Sequence, residues 1–131
     1  RDPYYTIYSD YSSNRIPETE TQLDDGRFNA GNYCTDRDIM KQHALHMLLN
    51  NLLWRYSMTH GGDGIDWDDC SEIKVNIYYN MELDEFGITT YSILKYFGAV
   101  PFVSEETAKA AIEEIVKPFI AEHPDFDVTK M

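Results

Sequence analysis

Two apolar stripes at helical spacing, each preceded by a stretch of β-type residues, constrain this chain more than any other feature. Leu45, Leu48, Leu49, Leu52 and Tyr56 make the first stripe; Ala108, Ala111, Ile112, Ile115, Val116, Phe119 and Ile120 make the second. Residues three and four apart share one face of a helix, so each stripe must be covered by another element. Ahead of the first stripe, residues 4–8 (YYTIY) suit a strand, 9–15 its turn and 16–22 a return strand that Pro17 confines to an edge. Asp24-Asp25-Gly26 reads as a second turn and residues 28–34 as a short third strand. Ahead of the second stripe, Val75, Ile77 and Tyr79 alternate with Lys74, Asn76 and Tyr78, residues 88–93 supply a partner strand and 99–103 a third, interrupted by Pro101.

The helix ends carry their own signals. Thr35, with Asp38 three residues on, resembles a capping box, and Gly61-Gly62 closes that helix. Ser104 caps the second, with Glu105 and Glu106 where the helix dipole favours negative charge, and Pro118 should kink or end it. The expected fold is therefore α+β: antiparallel sheet with two helices, built as two ββ(β)α-like halves (residues 1–60 and 61–131) of one domain. The expected core is Tyr5, Ile7, Leu45, Leu48, Leu49, Leu52, Val75, Ile77, Tyr79, Ile112, Ile115, Val116 and Phe119.

A length of 131 residues fits one core, and 43% apolar with 26% charged residues argues against disorder. No apolar run approaches the roughly 20 residues of a spanning helix, and no basic stretch leads into an apolar one as in a secretion signal. Two cysteines, Cys34 and Cys70, do not make a disulfide framework and are expected reduced, in the cytoplasm. The net charge of −12 repels phosphate backbones, which disfavours autonomous nucleic-acid binding and favours basic protein partners.

Local catalytic signatures are absent: no nucleophile elbow, phosphate-binding loop, zinc-protease motif or dinucleotide fingerprint. Cys34, His43 and His46 lie close in sequence but fall short of four zinc ligands, with His60 and Cys70 far off. The acidic loop from Asp63 fails the calcium register, because Ile65, Trp67, Asp68 and Lys74 occupy positions 3, 5, 6 and 12. The expectation is a protein with no metal, no cofactor and no catalytic residues. An enzyme would have to assemble Asp66, His60 and Cys70 in one pocket.

Charge density singles out a candidate surface. Between His60 and Thr90 stand eight acidic residues (Asp63, Asp66, Asp68, Asp69, Glu72, Glu82, Asp84, Glu85) and one basic, Lys74, hence −7 of the −12. Trp67, Tyr78, Tyr79 and Phe86 lie among them. Charge steers encounter and buried rings supply affinity, so the eight acids with Tyr78 and Phe86 are the candidate partner-binding residues. The competing reading makes the acids a solvated turn and Trp67 a core residue.

Several stretches in order resemble a known group: the opening Tyr-Tyr-x-Ile, Gly31-Asn32-Tyr33 with Thr35, Ile65-Asp66-Trp67-Asp68-Asp69-Cys70 running to Lys74, and Ile77-Tyr78-Tyr79. Tyr96-Phe97-Gly98 leading to Phe102-Val103-Ser104-Glu105-Glu106-Thr107-Ala108 completes the set. Together they are similar to small acidic proteins of phages and prophages of gut Firmicutes, a group that includes an anti-CRISPR inhibitor of Cas9. The resemblance implies a non-catalytic inhibitor that binds host Cas9, with its guide RNA, in the bacterial cytoplasm and blocks DNA cleavage. The alternative is a phage structural or replication-accessory binding protein. His43, His46, Asn50, Asn51 and Pro101 depart from the group's pattern.

Overall fold

The computed structural model describes residues 1–130 and is mixed α+β, with two separate two-stranded antiparallel sheets and helices. Its contacts divide the described residues into two compact units, residues 1–48 with 127–130 and residues 49–126. The boundary falls inside the long helix α2 (Arg37–Thr59) rather than at the glycine pair that follows it.

In the first unit β1 (Tyr4–Ile7) pairs with β2 (Ser13–Ile16), Tyr4 opposite Ile16 and Ile7 opposite Ser13. The return strand therefore lies mostly within the expected turn and shares only Ile16 with the strand expected over 16–22. Residues 22–29 form a helix instead, α1 (Gln22–Asn29), where a turn and the start of a third strand were expected. The reason lies at its first turn: Thr21 Oγ1 accepts from the Asp24 amide at 3.2 Å while the Asp24 carboxylate accepts from the Thr21 amide at 3.3 Å, a reciprocal cap. Of the third strand only a bridge remains, Cys34 paired with Tyr5. The cap of α2 is Asp36, not Thr35; its Oδ1 accepts from the amides of Asp38 (2.9 Å) and Ile39 (3.0 Å).

The buried face of β1 is Tyr4 and Thr6, opposite in parity to the expected Tyr5 and Ile7. Polar chemistry reverses it. Tyr4 stacks on Tyr33 at 4.0 Å between ring centres, and its hydroxyl donates to the buried Asp24 and accepts from Arg27 Nη1 at 3.0 Å. Asp24 Oδ2 also accepts from the Thr19 amide (3.1 Å) and from the hydroxyls of Thr19 (3.0 Å) and Thr21 (2.9 Å). Donors from every side, the Tyr4 hydroxyl foremost, hold this carboxyl far below the usual carboxylate range. Desolvation, reinforced by donation to Glu18 at 2.7 Å, pushes the neighbouring Tyr33 phenol up to about 12.

The second unit contains the rest of α2, a 3-10 turn (Gly62–Gly64), the hairpin β3 (Lys74–Asn80) and β4 (Glu85–Tyr91), then α3 (Glu105–Ala111), a π turn (Ile112–Val116) and α4 (Lys117–Glu122). Ser104 caps α3 as expected, accepting from the Thr107 amide at 3.1 Å. Pro118 neither ends nor sharply breaks the helix. One wider turn absorbs it: the Lys117 amide reaches back to Ile112, so the chain widens just before the residue that has no amide to give. Phe102 bridges to Val75 by two backbone bonds of 2.9 Å, all that remains of the expected strand over 99–103. Val75, Val100, Phe102, Ala108 and Ala111 form the core, with Leu53, Tyr56, Ile77 and Ile88 packed on it.

Two outcomes follow. Phe102→Ala should destabilise the second unit by about 3–5 kcal/mol, whereas Leu48→Ala, at a half-buried position, should cost less; equal urea midpoints for the two variants would contradict the assigned core. Because the folded state depresses the Asp24 carboxyl, its contribution is complete above roughly pH 3.9 and is lost as pH falls below that value. Asp24→Asn should therefore melt below the parent at pH 7, with the gap narrowing toward pH 2; a gap that stays constant across that range assigns the network no ionic role.

Candidate functional site

The acidic residues cluster at the two ends of the β3–β4 hairpin, whose register pairs Lys74 with Tyr91 at one end and Asn80 with Glu85 at the other. Strand rise over those seven residues separates the ends by about 20 Å. The hairpin thus splits the predicted acidic face into two poles: Asp63, Asp66, Asp68, Asp69 and Glu72 before β3, and Glu82, Asp84 and Glu85 at the turn.

At the first pole the loop starts from a tight passage. Gly61 adopts φ +95°, and a Cβ on Gly62 would run into Ser57 and Met58. Buried Ile65 then pins the loop. Three of its acids help to fold it: Asp66 Oδ1 accepts from the Asp68 amide (3.0 Å), Asp69 Oδ1 from the amide (2.9 Å) and hydroxyl (2.6 Å) of Ser71, and Glu72 Oε2 from the Asp66 amide (2.9 Å). The Ser71 hydroxyl and amide lower the Asp69 carboxyl below its ordinary value. The acids thus build the turn and remain on the surface.

Lys74 ties this pole together. Expected on the solvent side of β3, it is instead 2% exposed. Its Nζ donates to the carbonyls of Glu72 (3.1 Å) and Ser92 (2.8 Å), and lies 5.1 Å from the Trp67 ring centre and 5.4 Å from that of Tyr91. Trp67 also receives Lys95 Nζ at 4.8 Å. It is 41% exposed, so it does not close the core but serves as a plate on which two cations rest. Tyr91 meets Tyr96 edge-on at 4.9 Å.

At the second pole Asn80 Oδ1 accepts from the amides of Glu82 and Leu83, both at 3.0 Å, and Asp84 takes the left-handed conformation (φ +53°) that closes the turn. Tyr78 is half exposed and crosses Gly87, where a side chain would collide with its hydroxyl. Phe86 packs against Tyr79 at 5.0 Å and borders an open cleft of about 500 Å³ shared with Lys109, Ile112, Glu113 and Lys117. That cleft carries both signs of charge, and Lys117 pairs with Glu113 at 2.5 Å. The two candidate binding aromatics, Tyr78 and Phe86, thus lie toward the second pole.

A run of residues of which only Ile93 was expected in a strand stands in the open. Ile93, Leu94, Tyr96 and Phe97 are all exposed in the loop after β4. The signal was available as an apolar run continuing past the last alternating position toward Gly98. Among the described residues no group of three or more His, Cys, Asp or Glu comes together that could hold a metal ion. Both cysteines are free thiols; Cys34 Sγ donates to the Asp36 carbonyl at 3.4 Å, and His46 Nε2 meets the Lys130 carbonyl at 2.7 Å. No family model matches the chain, and no curated protein or solved structure is significantly similar to it.

Lys74→Met keeps the stem and removes the ammonium. It should cost about 1.5–3 kcal/mol, the range for hydrogen bonds to charged groups. In a Trp54→Phe background, which leaves Trp67 as the reporter, emission should shift to the red as the loop loosens. Unchanged emission would show that Lys74 does not hold Trp67.

Proposed function

We propose that the chain is a non-catalytic binding protein that engages a basic macromolecular partner through the carboxylates at the ends of the β3–β4 hairpin. One observation carries this reading: among the described residues none of the eight carboxylates forms an ion pair with a cation of the chain. The single basic residue of the segment, Lys74, is buried and spends its donors on carbonyl oxygens. With eight acids against one lysine the segment keeps a net negative field, and such a field speeds the approach of a positive surface while repelling nucleic acid.

The resemblance to the phage and prophage group directs the choice of partner to Cas9 with its guide RNA, in the host cytoplasm. Cas9 holds nucleic acid in basic channels and reads its adjacent motif with arginines. A carboxylate-rich domain is suited to occupying such a surface, or to holding a moving domain so that DNA is not cut.

Asp63→Asn with Asp68→Asn removes charge at the first pole without removing a loop-forming acceptor. Glu82→Gln with Asp84→Asn does so at the second, and asparagine tolerates the left-handed backbone there. Association of the parent with immobilised Cas9–guide complex should slow as salt rises, with the combined variant slowed on the order of tenfold or more at low salt. Melting should be little changed, since solvated acids contribute little stability. Parent and variant associating at equal rates across the salt series would refute the proposal.

A further inference from the structure

The loop between β4 and Val100 holds a group of apolar side chains in water: Ile93 is 80% exposed, Leu94 59%, Tyr96 44% and Phe97 98%. Exposed apolar residues are ordinary when scattered; a contiguous group at one loop tip marks a contact surface. The loop is held in place by three ties: the Ser92 carbonyl accepts from Lys74 Nζ, Lys95 Nζ rests on Trp67, and Tyr96 meets Tyr91 edge-on. Two of these run to the acidic loop, because Trp67 stands between Asp66 and Asp68 and Lys74 also holds the Glu72 carbonyl. Apolar tip and carboxylates are therefore parts of one surface.

We infer that this surface docks on a protein carrying an apolar pocket rimmed by lysine or arginine, with Phe97 and Leu94 filling the pocket and Asp63 and Asp68 facing the rim. Charge selects the occupant. A second copy of a chain of net charge −12 brings like charge to the contact, and anionic lipid headgroups are repelled in the same way, whereas a basic rim complements both features. A loop backbone already tied at Ser92, Lys95 and Tyr96 has less freedom to lose on binding. The inference rests on the proposed binding function and narrows it: affinity resides at the first pole, in residues other than Tyr78 and Phe86.

Phe97→Ser and Leu94→Ser, both at exposed positions, test it on folded protein. On immobilised Cas9–guide complex the double variant should leave at least about tenfold faster with its on-rate within twofold. An unchanged off-rate, with the carboxylate variants still slow to associate, overturns the inference and spares the binding function. If the parent does not bind that complex at all, the proposed partner fails, and a second probe decides the inference. The parent should then stay on a cationic resin bearing phenyl groups at salt that releases it from a plain quaternary ammonium resin. The double variant should leave both resins together. Equal release of parent and variant from the phenyl resin overturns the inference. So does a parent dimer, in sedimentation velocity at micromolar concentration, that Phe97→Ser abolishes, or parent cosedimentation with phosphatidylcholine vesicles that the variant loses, because each assigns the tip another occupant.

Discussion

An ammonium group taken out of water must recover its hydration from the protein, and Lys74 does so with two carbonyls and two aromatic faces. From the start of β3 it reaches partners on two other segments: the acidic loop through Glu72 and Trp67, and the end of β4 through Tyr91 and Ser92. Burial of a charge is expensive unless each donor is met, so the arrangement is all or none. The lysine makes no ion pair with the surrounding acids, although its charge helps to hold the Asp69 carboxyl below its ordinary value.

The first unit solves the mirror problem. There the buried charge is an anion, Asp24, and the recovery comes from a tyrosine, two threonines and their amides. Arg27 reaches the same network through the Tyr4 hydroxyl, and Arg1 pairs with Asp25 while resting over Phe28 at 4.6 Å. Each unit is thus organised around one ionised side chain as well as around an apolar core.

This explains which parts of the fold were legible. The second apolar stripe reads correctly, with Ala108, Ala111, Ile112, Val116 and Phe119 buried, because burial by period is a local property. The strand at Val75–Tyr79 and the Ser104 cap are also local, although burial along β3 does not alternate as expected: Lys74 and Asn76 are buried beside Val75, and Ile77 and Tyr79 only half-buried. Helix α1 has no apolar stripe, and Gly26 at its centre reads as a turn; only the Thr21–Asp24 reciprocity announces it. The parity of β1 turns on a hydrogen bond between residues twenty positions apart, Tyr4 and Asp24, which no pattern along the strand reveals. At the site the acids themselves were legible as a charge run. Their division into two poles follows from hairpin register. The inward turn of Lys74 and the grip of Lys95 on Trp67 are contacts across loops.

The hairpin also acts as a ruler. A strand pair resists compression along its length, so the two groups of carboxylates keep a spacing that no linker has to find. A partner with one basic patch engages one end and leaves the other free in solution. A partner with two patches at the matching distance gains the second contact at no further cost in translational freedom, as in any bivalent ligand whose arms are already set. Selectivity among basic surfaces would then come from the interval between their patches, a property of shape that net charge alone does not supply.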